Sequence, residues 1–364
     1  MKRFLYPTLS LALLAAVAGC QKKNDGGNGY PAPPPPGNPA PGSITVSTIA
    51  GQNQPGRQNG PVYSSSFNAP VDVAVATDGT IYVADFKNHR IRKIAAGQVS
   101  TFVGNDSVGI VNGNGTHAEV AEPYRIALDA NGYLYIVEQN DPRVRRISPT
   151  ADVTTFAGTS TPGFANGPTL SAQFQLDAGG VVADPSGNIF VDDAVNSRIR
   201  KIDHEGQVTT VAGDGTQGMV NGAGNQAEFN FPDGIALDKQ GNIYLCDYGN
   251  FCIRKITPDG TVSRFAGNGV RGYAEGDPNT AEFSTIGDIV VDSTGNLYVT
   301  DDSRIRKITP QGFVSTIAGS TEGFADGDGL SAKFRDPMGL AIDAQGNLYV
   351  ADVNNNRIRK ISFK

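Results

Sequence analysis

Tryptophan is absent, and cysteine, methionine and histidine occur only three times each in 364 residues. Three histidines are few for a metalloenzyme, and no Ser-His-Asp spacing or phosphate-binding loop is present. Basic residues are outnumbered, 30 Lys and Arg against 36 Asp and Glu, for a net charge of −6. That balance argues against a nucleic-acid surface, which needs a basic face. The apolar stretch from Leu9 to Gly19 is broken only by Ser10, and it is too short for a membrane span of about 20 residues. Glycine is plentiful at 45 residues, as expected of a chain with many tight turns.

The N-terminus reads as an export signal. Met1-Lys2-Arg3 supplies a basic start, Leu9 to Gly19 an apolar core, and Val17-Ala18-Gly19-Cys20 resembles the bacterial lipobox. On this reading residues 1–19 are a lipoprotein signal peptide, and Cys20 is acylated and becomes the new N-terminus. Gln21, rather than Asp, follows the cysteine, which points to the outer membrane of a Gram-negative envelope, in either leaflet. Residues 20–43, including Pro33-Pro34-Pro35-Pro36, cannot bury apolar surface and read as a semi-extended tether. The membrane is engaged through the lipid anchor alone.

Residues 44–364 are a repeat array. A Val-Ser/Thr-x-x-x-Gly segment begins at Val46, Val99, Val153, Val208, Val262 and Val314, at spacings of 53, 54, 55, 54 and 52. Between its copies run an apolar segment such as Gly234-Ile235-Ala236-Leu237, an Asp-x-x-Gly turn, an alternating segment such as Ile243-Tyr244-Leu245, and Arg-Ile-Arg-Lys-Ile or a close variant. Glycine in such turns supplies the positive φ of a tight hairpin. Four short strands, a to d, repeated six times predict an all-β, six-bladed β-propeller of four-stranded antiparallel blades. The first copy begins at strand d and the last ends at strand c. The N-terminal strand is therefore expected to complete the last blade.

The string Pro-x-Gly-Ile-Ala-Leu-Asp…Gly-Asn-Ile-Tyr-Leu…Asp…Ile-Arg-Lys-Ile in residues 232–256 resembles the NHL repeat. The resemblance extends over about 46–361 and implies a propeller, a fold that hosts binding modules, scaffolds and a few enzymes. It also implies that sites lie around the channel mouth, on the face carrying the d–a and b–c connections.

Six copies separate scaffold from site. Tyr82, Tyr135, Phe190, Tyr244, Tyr298 and Tyr349 repeat at one position and are expected in inter-blade packing. The Asp ending strand b and the Arg opening strand c, Asp85 with Arg90 and Asp352 with Arg357, are expected to form an ion pair or a hydrogen-bonded loop. Phe67, Phe174, Phe229, Phe283 and Phe334 are expected to anchor the long d–a loops.

Pattern breakers are the site candidates. Where the family has Gly at the start of strand a, Asp72, Arg125 and Asp288 stand instead, with Tyr124, Asp233 and Met338 beside them. These residues describe either a polar pocket of mixed charge or a solvated rim with an Asp–Arg bridge. Glu138, the only Glu at a strand-b end, and Tyr248 join them from the b–c loops, where several carboxylates also offer oxygen ligands for Ca²⁺ or another divalent cation. No other cofactor is evident. Cys246 and Cys252, flanking one b–c turn, are expected to form a disulfide across it.

Three functions remain open on sequence. One is a cell-envelope module binding a protein, peptide or glycan at the channel face. The second is a divalent-metal-dependent hydrolase or lyase resembling the gluconolactonases, whose Glu, Asn and Asp ligands find only Glu138 in support here. The third is a purely structural envelope protein.

Overall fold

The 52–55-residue period folds into six sheets arranged as the blades of a propeller. The computed structural model describes residues 44–177 and 179–363. The leader 1–19, Cys20 and the linker 20–43 lie outside the described residues. In blade one the strands are Pro70–Val75 (a), Ile81–Asp85 (b), Arg90–Ala95 (c) and Gln98–Val103 (d), each antiparallel to the next. Strand a of the following blades is Pro123–Leu128, Val181–Ala183, Pro232–Leu237, Ile286–Val291 and Pro337–Ile342. Strand b is buried along its whole length in every blade, including the carboxylate that ends it.

Closure follows the expected route. Ile44–Gly51 lies antiparallel to Arg357–Phe363, with Ile44 opposite Phe363 and Gly51 opposite Arg357. Ile44, Val46 and Ala50 are buried there. The first strand thereby covers an edge that would otherwise stay open.

The sheets have one strand more than expected in four blades. Gly60–Pro61, Gly113–Asn114, Gly167–Pro168 and Gly327–Asp328 are two-residue strands on the outer edges. Single bridges from Gly222 to Val262 and from Gly276 to Val314 do the same in blades four and five. Each belongs to a d–a loop that leaves one blade and runs down the outer edge of the next. Five of the six loops are pinned by a phenylalanine with no exposed surface, Phe67, Phe174, Phe229, Phe283 or Phe334, and the loop before blade two has the buried Val120 in that place. The stripe of Tyr82, Tyr135, Phe190, Tyr244, Tyr298 and Tyr349 is buried in the apolar clusters between neighbouring blades.

The repeated carboxylate does form an ion pair, but with a different arginine. Asp85 bonds Arg92 at 2.7 Å, not Arg90, and Asp352 bonds Arg359, not Arg357. Asp85 sits directly opposite Arg90, yet the Arg90 guanidinium turns outward to Asp106 at 2.7 Å. Arg92, on the same strand face, reaches the carboxylate diagonally. The equivalents are Glu138–Arg145, Asp193–Arg200, Asp247–Arg254 and Asp301–Arg306, every side chain fully buried. Arg92 also donates to the backbone carbonyls of Ser66 and Gln58, and its guanidinium lies 5.3 Å from the Phe67 ring centroid. The arginine thus ties strand c, strand b and the d–a loop into one unit.

Removing the closing strand exposes two large buried aliphatic side chains, each worth about 1.5–3 kcal/mol, and reopens the ring. Deletion of residues 44–52 is expected to lower the melting temperature by roughly 10 °C or more, read by circular dichroism or calorimetry. An unchanged melting temperature would contradict closure.

Candidate functional site

Strand a of each blade lines the central channel, so its first residues set what occupies the mouth. At one position the blades carry Asp72, Arg125, Gly180, Gly234, Asp288 and Gly339 in turn. Glycine is needed where backbones meet. A Cβ on Gly339 would lie 2.4 Å from the Asp72 Cα, and one on Gly234 would lie 2.5 Å from the Asp288 Cα. The two aspartates bridge forward to the next blade. Asp72 accepts the N–H of Ile126 at 2.7 Å and that of Val73 at 2.8 Å. Asp288 accepts those of Leu340 and Ile289, each at 2.8 Å.

Arg125 crosses the channel. Its Nη2 donates to Asp233 in blade four at 2.6 Å and to the Gly287 carbonyl in blade five at 3.0 Å, while Nη1 stops 4.0 Å from Asp288 Oδ2. The Tyr124 ring supports the guanidinium at 5.1 Å, and Phe86 packs edge-on against Tyr124. Asp72, Tyr124, Arg125, Asp233 and Asp288 therefore converge as a brace across the mouth. Met338 packs among the apolar neighbours of Tyr124, and its carbonyl accepts a hydrogen bond from Thr300 at 2.9 Å. Tyr248 is half-buried on the rim, where Asp233 and Asp336 push its hydroxyl pKa up in addition to burial.

Glu138 stands apart from this group. It fills the scaffold carboxylate position of blade two, accepting the Ala121 N–H at 2.6 Å and Arg145 at 3.1 Å. Burial pushes its carboxyl up to about 7 against the lowering by Arg145.

Asp192 belongs to the cluster and is not singled out by the strand-a comparison. Its neighbour Asp193 holds the scaffold position, whereas Asp192 stands where other blades have Ala84, Val137, Cys246, Thr300 and Ala351. It accepts the Gly180 N–H through Oδ2 at 3.1 Å, and its Oδ1 is buried without a hydrogen bond.

Four buried carboxyls around one guanidinium cannot all ionise freely. Burial drives Asp72 and Asp192 well up, with Asp288 adding to the first and Asp233 to the second. Burial also raises Asp288, and it takes Asp233 to about 6 although Arg125 lowers both. Against the cost of burial, Asp233 and Asp288 hold Arg125 charged, well above its ordinary range.

This donor set does not suit a divalent cation. Both Asp72 and Asp288 spend their oxygens on backbone N–H groups, Asp233 is bonded to Arg125, and the guanidinium occupies the centre an ion would need. Among the described residues, no three His, Cys, Asp or Glu side chains are grouped to hold a metal.

The expected disulfide is absent. The register pairs Cys246 with Ile253 and Cys252 with Asp247, which puts the two thiols on opposite faces of the hairpin. Both are free and buried. Cys246 packs between blades four and five, and the Cys252 sulfur lies 4.0 Å from that of Met219.

The fold and its repeats define a six-bladed propeller carrying NHL repeats: the NHL repeat model matches residues 67–94, 229–256 and 334–361. Among curated proteins, mouse Teneurin-3 is 26% identical over 355 residues, covering 84% of this chain but 13% of its own length. The chain thus spans about an eighth of that relative. Among solved structures, an auxiliary nutrient binding protein of Bacteroides thetaiotaomicron superposes with a TM-score of 0.67 at 19% identity, over 88% of this chain and 76% of that one. A gluconolactonase of Xanthomonas campestris gives 0.57 at 13%, over 89% and 91%. At these identities the two structures establish the shared fold alone.

Two outcomes follow from the site. Carboxyls raised in the folded state hold protons that the unfolded chain releases above about pH 4. Their contribution is therefore full at low pH and is lost as pH rises through their folded values. Replacing Arg125 by Ala strands these groups without a cation, at a cost of about 3 kcal/mol. The loss in melting temperature is expected to be greater at pH 8 than at pH 5. Separately, burial raises the Cys246 thiol well above its usual range and takes that of Cys252 to about 12. Alkylation without reductant is expected to label both after denaturation and neither in the native protein, as read by mass spectrometry.

Proposed function

We propose that this chain is an exported, lipid-anchored module of the bacterial envelope that binds a glycan, peptide or partner protein on the face of its d–a and b–c connections. One observation carries this reading: the same backbone presents a different side chain at the mouth from blade to blade. Just before strand a, Ala69, Glu122, Asp177, Phe231 and Asp336 all take left-handed φ values between 35° and 56°. A non-glycine residue in that conformation costs roughly 1–2 kcal/mol, and such strain clusters at binding sites. The scaffold is constant while the displayed chemistry varies. Phe231 is 45% exposed and stands on the rim with Asp233, Tyr248 and Met338.

The fold shared with a nutrient binding protein supports a binding role.

The test is a glycan and peptide array probed with the purified protein, followed by Phe231→Ala and Tyr248→Ala. At least one ligand is expected whose affinity falls about tenfold or more in these variants at an unchanged melting temperature. A protein that binds nothing, or binds equally well in both variants, rejects the reading. A stoichiometric calcium ion found by metal analysis would favour the hydrolase or lyase alternative. Loss of metabolic palmitate labelling in Cys20→Ala tests the anchor.

A further inference from the structure

Comparison of the blades shows what one buried carboxyl does at the seam between two of them. The penultimate residue of strand b is Ala84, Val137, Asp192, Cys246, Thr300 and Ala351 in blades one to six. Blades three and five place an oxygen there. In blade five the Thr300 hydroxyl accepts the Asp288 N–H of its own strand a at 2.8 Å and donates to the Met338 carbonyl of blade six at 2.9 Å. One hydroxyl thereby joins two blades.

Asp192 meets the same two groups in blade three. Its Oδ2 accepts the Gly180 N–H at 3.1 Å, and Gly180 holds the strand-a position of Asp288. That N–H also donates to the Asp233 carbonyl of blade four at 3.2 Å, and Asp233 holds the position of Met338. A Cβ on Gly180 would lie 2.6 Å from this carbonyl oxygen and 2.8 Å from Oδ2. Two acceptors thus crowd one N–H. A carboxylate beside a carbonyl repels it. With a proton on the carboxyl, Asp192 becomes a donor to Asp233, as Thr300 is to Met338.

The surroundings favour the neutral form. Asp192 is fully buried and its Oδ1 has no hydrogen bond, a state far more costly for a charged group than for a neutral one. The groups facing it are the carboxyls of Asp233 and Asp288, the Cys246 thiol and Arg125. Arg125 directs its hydrogen bonds to Asp233 and Gly287. Asp193 and Arg200, on the neighbouring stretches of strands b and c, lie on the opposite face and pair with each other at 2.6 Å. Burial and Asp233 together drive the Asp192 carboxyl well up. A water donating to Oδ1 would instead sustain an ionised carboxylate, and the two states give opposite responses to pH.

We propose that Asp192 is a neutral, proton-bearing carboxyl that donates to the Asp233 carbonyl, so that a proton fastens the seam between blades three and four and its loss at higher pH loosens it. The seam carries Asp233, the anchor of Arg125, which makes Asp192 a positioning residue for the brace. This role does not depend on the binding face proposed above.

The pH dependence of unfolding tests it. The folded chain keeps this proton, whereas the unfolded chain releases it above about pH 4. Its contribution is full below that pH and is lost as pH rises through the folded value. Over that interval one such proton lowers the folding equilibrium constant by up to about tenfold per pH unit. Asp192→Asn and Asp192→Thr keep a neutral hydrogen-bonding group that cannot ionise. In urea titrations at pH 5, 6 and 7, the stability of both variants is expected to fall less steeply than that of the wild type, by close to this factor. In the wild type at pH 6 the Asp192 carboxyl carbon resonance is expected at the position of a protonated acid. The proposal is overturned by an equal or steeper fall in the variants, or by a resonance at the carboxylate position. Should neither variant fold, the resonance decides the matter.

Discussion

The fully buried carboxylate–arginine pair at the end of each strand b is the interaction on which the ring depends. Isolated, such a pair is a poor source of stability, because desolvating two charges offsets their attraction. Here each arginine has more to do. Arg359 bonds Asp352, the carbonyls of Lys333 and Ala325, and Asp326, so that strand, hairpin and loop are fixed by one side chain. All three of its nitrogens find acceptors, Nε on Asp326 at 3.1 Å, whereas in the other five copies the Nε is buried without one. Blade five shows how firmly the geometry is kept. Its b–c turn is two residues shorter, Asp301 to Arg306 in place of Asp85 to Arg92, and the pair still closes at 2.7 Å.

The channel brace inverts this logic. In the blades each carboxylate at the end of strand b has one arginine, bound through Nη1. At the mouth one guanidinium is shared among four carboxyls, two atoms are left without partners, and proton occupancy shifts accordingly. The molecule thus combines six one-to-one pairs, which hold the scaffold, with one guanidinium at its axis that faces several buried carboxyls. This contrast gives the channel a stronger claim to function than the more numerous acidic loops on the surface.

Much of this was legible in the sequence because it repeats. The period, the phase of the first and last copies, the buried phenylalanines and the inter-blade tyrosines all came from comparing six versions of one unit. Asp72, Arg125 and Asp288 stood out by their departure from glycine near the axis, with Asp233 beside Gly234, while their convergence is visible only in the structure. The errors arose where two residues share a strand face. Arg90 and Arg92 share the strand face that carries Asp85; the carboxylate takes the second, and the first turns outward to Asp106. The cysteines were misread for a related reason. Cys252 stands where blade one has Arg90, opposite Asp247 and not opposite Cys246, so the repeat itself held the register that forbids the bond. The orphaned Arg125 nitrogen had no signal in sequence, since it depends on a gap across the ring between blades two and five.

The two-residue strands contributed by the d–a loops carry a consequence for how the ring fails. Each blade is fastened at the hub by packing and at the rim by a strap that originates in its predecessor. Peeling any one blade outward therefore means first lifting a strap that the preceding blade anchors, and the closing strand passes that obligation round to the start. Such a circle has no weak member from which to unravel. Its loss of structure should be collective, and within residues 44–363 a protease would meet no loose strand to seize.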